Sequence, residues 1–199
     1  MQTSKEQIIN LLRYLKEKKT LIIITHDKDV LVLGDRVIEF KNGSIIKDEK
    51  ISLKVMLGAY IEAEENNINC PWGGSYDLDQ LSKNKKRNLQ QMDSLIDLAN
   101  TYPDIIFSLS VGNEACVDWT DHLVSVEAVV SYVRYVKAGA KQPVTFCENY
   151  VPWLDKLEPL AHEIDFISIH TYPVWEHKTI HEGMEFTKQN YEIVANKYP

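Results

Sequence analysis

The chain has 199 residues, 44% of them apolar and 26% charged, a balance that can bury a real core and makes disorder a poor account of any large segment. A net charge of -7 argues against a general nucleic-acid binder, which needs a basic surface to neutralise phosphates. No run of 18 apolar residues exists, so no membrane-spanning helix is expected, and the N-terminus lacks the apolar stretch of a signal peptide, which predicts a cytoplasmic location for the chain as written.

The chain is expected to open with a helix that starts after Thr3 or Ser4 and closes at Lys16 to Lys19. Ile8, Ile9, Leu11, Leu12 and Leu15 recur at helical spacing, Thr3 or Ser4 supplies a cap, and a run of lysines closes the last turn. Leu21-Ile22-Ile23-Ile24 is a continuous apolar run expected to form a strand covered on both faces, with Thr25-His26-Asp27 at its C-terminal end. Residues 37–46 predict a hairpin turning at Asn42-Gly43. A boundary is expected near residue 50. Residues 1–50 carry a net charge of +2 and residues 51–199 a net of -9, and the hydrophobic pattern changes at the same place.

From residue 51 onward strands and helices alternate. Strands are expected over 53–60, 105–111, 143–147 and 166–170. The intervening helices are marked by Leu78, Leu81, Leu89, Met92, Leu95, Ile96 and Ala99, and by Leu123, Val126, Val129, Val130, Val133 and Val136. A third helix is expected over 151–162 and a last one over 183–197. Such alternation predicts an α/β fold with a parallel sheet, and both an open doubly wound sheet and a closed barrel fit the periodicity.

The residues that follow each strand favour the barrel. The strands are followed in turn by Tyr60, Glu62 and Glu64; by Asn113, Glu114 and Trp119; by Glu148, Asn149 and Trp153; and by His170, Tyr172 and Trp175. Barrel enzymes build their active sites from strand ends and the loops after them. Aromatic faces beside carboxylates suit a polysaccharide groove, because rings stack on sugars while acids do the chemistry. Glycoside hydrolysis needs a carboxyl group that holds its proton at working pH, hence a raised pKa. Glu114 follows an apolar strand, with Gly112 leaving room for close approach and Asn113 able to bind a sugar hydroxyl. The plainer alternative is that Glu114 caps the following segment. Glu148 is open to substrate contact, a structural role or substitute catalysis, and His170 to organising its neighbours or carrying a proton. The three cysteines have no CxxC spacing and His177 and His181 form no HExxH, so no disulfide framework, metal site or cofactor is indicated.

Val111-Gly112-Asn113-Glu114 resembles the acid/base motif of glycoside hydrolase family 17. Residues 53–58 and Asp165-Phe166-Ile167-Ser168-Ile169-His170-Thr171-Tyr172-Pro173 resemble two further strands of that family. The resemblance covers residues 51–199 and implies a partial (β/α)8 TIM barrel, about strands three to six, acting on β-1,3-glucan with retention. It makes Glu114 the acid/base. Asn113, Tyr60, Glu148, His170, Tyr172 and Trp175 become candidate substrate contacts. The nucleophile strand has no counterpart in the chain, so little turnover is implied. The exposed edges of an incomplete barrel predict self-association. Thr20–Asp27 and Gly34–Ile45 resemble the C-terminal end of an ABC transporter ATPase, in which the histidine matching His26 senses the terminal phosphate. No G-x-x-x-x-G-K-[ST] loop exists, so His26 is a vestigial switch residue and no nucleotide site is expected. A natural fusion, a truncation and a chimera would each produce such a chain. The competing functions are a glycosidase, a non-catalytic carbohydrate-binding remnant and a fragment of an ABC transporter ATP-binding subunit.

Overall fold

The computed structural model describes residues 4–16, 18, 22–24, 34–41, 44–50 and 54–199. Contacts divide the chain into two units, Met1–Leu53 and Lys54–Pro199.

In the first unit, helix α1 spans Ser4–Lys16. Its Ile9, Leu12 and Leu15 are half-buried, whereas Ile8 and Leu11 are exposed. Strands β1 (Arg36–Lys41) and β2 (Ser44–Lys50) form the expected antiparallel hairpin, with a register shift between Glu39 and Phe40. Its Asn42-Gly43 turn and His26 lie outside the described residues. The expectation of a buried strand over 21–24 is not met at the residues described there. Residues 22–24 have no regular structure, and Ile22 and Ile24 are 92% and 99% exposed. A four-residue apolar run becomes a buried strand only between neighbouring strands, and among the described residues none pairs with it.

The second unit holds a four-stranded parallel sheet of β3 (Val55–Ala59), β4 (Ile106–Asn113), β5 (Val144–Asn149) and β6 (Ser168–His170). The strand order is β3-β4-β5-β6, one step at a time without reversal. Helix α2 (Leu78–Thr101) packs on β3 and β4, and α3 (Val126–Gly139) on β4 and β5. Asp77 and Ser125 cap them, each side chain accepting from the backbone N–H three residues on. The single helix expected over 151–162 is two: α4 (Tyr150–Asp155) and α5 (Glu158–Ala161). Pro159 explains the break. It lacks the N–H that would continue the α4 ladder, yet it fits the first turn of a new helix. Helix α6 (Gly183–Lys197) follows β6.

The core lies between sheet and helices. Ile61, Met92, Leu109, Val111, Phe146 and Trp153 are fully buried there. Burying a side chain of this size stabilises by about 2–3 kcal/mol. That core holds one face of the sheet fixed, so the C-terminal ends of β4, β5 and β6 are presented side by side. Among the described residues no helix is long and apolar enough to cross a membrane.

Candidate functional site

The turn after β4 is sharp and specified by sequence. Gly112 has φ of 97°, and a Cβ there would lie 2.7 Å from Ile61 Cδ1 and 2.9 Å from Phe146 Cε2. Only glycine fits both the backbone and the space. Glu114, two residues on, has φ of 49°, which is uncommon for a side chain of this kind. The Glu114 N–H donates to the Cys147 carbonyl at 2.9 Å, tying the turn to β5.

The bend brings the Glu114 carboxylate against the end of β6. His170 Nδ1 donates to Glu114 Oε1 at 2.8 Å, and the Tyr172 hydroxyl donates to the same oxygen at 2.7 Å. The Glu114 and His170 side chains are 24% and 26% exposed, so a ligand can reach both. The hydrogen bond from His170 holds the Glu114 carboxyl below the usual carboxylate range, against the opposing effect of burial. This corrects the expectation of a raised pKa. A strand end beside an apolar core was expected to favour the neutral acid, but two donors aimed at one oxygen favour the anion. His170 is pushed up to about 9 by hydrogen bonds with Cys147 and Glu114. Burial, and then the bond to Glu114, raises the Tyr172 hydroxyl above its ordinary value.

Glu148, a candidate for substrate contact or for a structural role, lies on β5 one residue before its end. It is fully buried. Its Oε2 accepts from the Cys116 N–H at 2.8 Å and its Oε1 from the Asn149 N–H at 2.7 Å. Each oxygen accepts one backbone N–H, which fixes the segments after β4 and β5. Burial pushes its carboxyl up to about 7. Trp153, also placed by sequence in a groove loop, is fully buried in α4 and donates to the Ser168 carbonyl at 3.2 Å.

The remaining candidates lie around the mouth. The Asn113 side chain is exposed at the end of β4, and its carbonyl is 2.9 Å from His122 Nε2. His122 Nδ1 lies 2.7 Å from Asp121 Oδ1. Tyr60 is 57% exposed, with its ring 5.1 Å from the His122 ring. Trp175 is 82% exposed and is not among the groups bonded to Glu114. Three participants were not found by sequence reasoning. His122 and Asp121 brace the peptide before Glu114, a role that an adjacent Asp-His pair after a strand could have signalled. Cys147 is free and buried on β5, its Sγ 3.2 Å from Ser110 Oγ, whose hydroxyl donates to the Gly112 carbonyl at 2.9 Å. Burial opposes it, yet hydrogen bonds with His170 and Ser110 hold its thiol below the ordinary value. The strand alternation that puts Thr145 and Cys147 on one face was the available signal. Among the described residues no cluster of His, Cys, Asp or Glu could hold a metal ion.

Fold and site together define a parallel α/β unit with a carboxylate–histidine–tyrosine centre at its strand ends. No protein-family model matches the chain. Short segments are similar to two macrolide export ATP-binding/permease proteins MacB. The one from Campylobacter fetus subsp. fetus (strain 82-40) is 49% identical over 35 residues, which is 18% of this chain and 6% of that protein. The one from Shewanella sp. (strain W3-18-1) is 46% identical over 67 residues, 33% of this chain and 10% of that protein. The chain thus spans a tenth or less of the length of these curated relatives. Among solved structures, the endo-laminarinase from Formosa Hel1_33_131 aligns over 62% of this chain and 34% of that one, with 24% sequence identity and a TM-score of 0.47.

Proposed function

We propose that the Lys54–Pro199 unit is a segment of a (β/α) barrel of the glycoside hydrolase family 17 type that binds β-1,3-glucan, with Glu114 as its proton-transferring carboxylate. The observation that carries this reading is the reachable Glu114 carboxylate at the end of β4, gripped by His170 and Tyr172 from the end of β6. One strand order without reversal is what a barrel segment requires. Exposed Tyr60, Trp119, Tyr172 and Trp175 follow the strands on the same side as Glu114, where sugar rings would stack.

The electrostatics set the expected rate. A general acid must carry its proton when the glycosidic bond breaks. With two donors on Oε1 and no anion bonded to it, Glu114 rests ionised. Retaining chemistry also requires a second carboxylate about 5 Å away, and Glu148, on the adjacent strand, is buried with each oxygen accepting a backbone N–H. Slow turnover is therefore expected. The decisive assay is release of reducing sugar from a soluble β-1,3-glucan. Loss of that release in Glu114→Gln supports the reading, and undiminished release in the same variant refutes it.

The ionised Glu114 and the buried Glu148 favour a second reading, in which the site binds glucan without cleaving it. Calorimetry with glucan oligosaccharides would then show binding without product, weakened roughly tenfold by Tyr172→Ala or Trp175→Ala through lost ring contact. The short matches to ATP-binding/permease proteins suggest common origin for a segment of the chain, as a fragment of such a subunit. An unchanged melting temperature on adding ATP and magnesium would dispose of a nucleotide-binding role.

A further inference from the structure

The turn that carries Glu114 is held in a conformation it would leave if released. Glu114 has φ of 49°, and turning the Asn113–Glu114 peptide over by about half a turn would return it to backbone that a glutamate adopts freely. Hydrogen bonds at both ends of that peptide oppose the change. Its N–H donates to the Cys147 carbonyl at 2.9 Å, and its carbonyl, that of Asn113, lies 2.9 Å from His122 Nε2. A carbonyl can only accept, so Nε2 is the donor whichever form the ring takes. The first bond comes from β5. The second comes from one side chain, and that side chain is itself built in. His122 Nδ1 faces Asp121 Oδ1 at 2.7 Å and Thr120 Oγ1 at 3.0 Å, which fixes the ring plane and the direction of Nε2. The Asp121 carbonyl accepts from the Tyr76 hydroxyl at 2.9 Å and the Thr120 carbonyl from Asn67 Nδ2 at 2.7 Å, so the loop after β3 holds the backbone of the pair. Just beyond, the Val124 N–H donates to the Ala115 carbonyl at 2.8 Å. The His122 side chain is 16% exposed, and the well-exposed Tyr60 lays its ring 5.1 Å from the imidazole. One imidazole thus meets both the peptide that carries the carboxylate and an aromatic face open to a sugar.

We propose that His122, oriented by Asp121, is a positioning residue of the Glu114 centre: it latches the Asn113–Glu114 peptide in its left-handed turn and sets the Tyr60 ring beside it, a role that rests on Glu114 being the working carboxylate of a glucan site. With the latch closed, Glu114 Oε1 meets both His170 Nδ1 and the Tyr172 hydroxyl. With the latch removed, the turn relaxes and the carboxylate loses that double grip. His170 does most to hold the Glu114 carboxyl below its ordinary value against burial, and His122 adds a smaller effect of the same sign.

Two substitutions separate the latch from the ring. Glutamine places an amide N–H where His122 Nε2 stands, and asparagine places one where Nδ1 stands. His122→Gln therefore keeps a donor for the Asn113 carbonyl and His122→Asn does not, while both remove the imidazole. The full chain is labelled with carbon-13 at its glutamate carboxyls, and the Glu114 signal is assigned through Glu114→Gln. Its titration midpoint should lie below the ordinary glutamate range in the wild type, rise clearly in His122→Asn and rise less in His122→Gln. Release of reducing sugar from a soluble β-1,3-glucan should fall about tenfold or more in His122→Asn and stay within about threefold of wild type in His122→Gln. Equal midpoints in the two variants overturn the proposal, because loss of the ring alone would move both alike. Long-range proton–nitrogen spectra of the wild-type chain should show hydrogen on His122 Nε2 near neutral pH, and a bare Nε2 overturns it without need of any variant. The titration and these spectra are read without glucan, so their failure and the failure of the glucan reading are separate results.

Discussion

At the scale of single residues the site depends on a glycine. Gly112 combines a φ of 97° with contacts that leave no room for a Cβ. Gly112→Ala would force Ile61 and Phe146 apart while straining its own backbone, and those two side chains are fully buried. The expected loss is about 3 kcal/mol, seen as a lower urea midpoint, and the displaced turn should also remove any function that needs Glu114. Glu148 gives a second expectation. Burial raises its carboxyl from 4.5 to about 7 in the folded chain. The folded state therefore holds the proton more tightly than the unfolded one, so the resulting stabilisation is complete below pH 4.5 and is lost as pH rises through 7. Glu148→Gln should flatten this part of the pH–stability curve. It should also lower stability throughout by about 1–3 kcal/mol, because its amide nitrogen cannot accept from the second backbone N–H.

At the scale of elements, α2 shows where sequence patterning is informative and where it misleads. The sequence marks its apolar stripe by Leu78, Leu81, Leu89, Met92, Leu95, Ile96 and Ala99; Met92, Leu95 and Ala99 are buried, but Leu78 is 84% exposed and Leu89 44%. The buried face runs Asn84, Asn88, Met92, Leu95 and Ala99, at the same helical spacing but beginning with two amides. Hydrophobicity cannot reveal a buried asparagine. Its burial depends on partners from a distant loop. Asn88 Oδ1 accepts from the Glu62 N–H at 2.8 Å, and its Nδ2 donates to the Glu62 carbonyl and Glu64 Oε1, both at 2.9 Å. Asn88→Ala should cost about 2–3 kcal/mol and speed proteolysis within residues 60–77, as read by limited digestion of the folded chain. The strands and α6 were legible because short apolar runs and a long amphipathic period survive without tertiary knowledge. The start of β6 was not, because Phe166 and Ile167 have the composition of strand residues but only Ser168–His170 are paired. Glu114 was legible as a strand-end carboxylate. Its ionisation was not, because that comes from residues 56 and 58 positions away.

At the scale of the whole molecule, the described sheet ends in two open edges. Among the described residues β3 pairs only with β4, and β6 only with β5. The β6 edge is the more exposed to consequence. Beside it lies a cavity of about 340 Å³ lined by Ile164, Phe166, Ile167, Ile169, Tyr191 and Val194 among others. Unpaired backbone N–H and C=O groups along a strand edge form a template for another strand, and proteins ordinarily blunt such edges with charge. The lining here has one charged side chain, Asp165, and it is already bonded to Lys137 and to the Val144 N–H. Edge pairing between copies is therefore expected, with the weight-average mass in sedimentation velocity rising over roughly 1 to 100 µM. Phe166→Lys is the informative variant. Phe166 is 38% exposed and precedes β6, so a lysine there places charge on the groove while leaving the paired residues intact. It should hold the chain monomeric across that range with its thermal midpoint little changed. A wild-type mass that stays constant with concentration would show that this edge is not used.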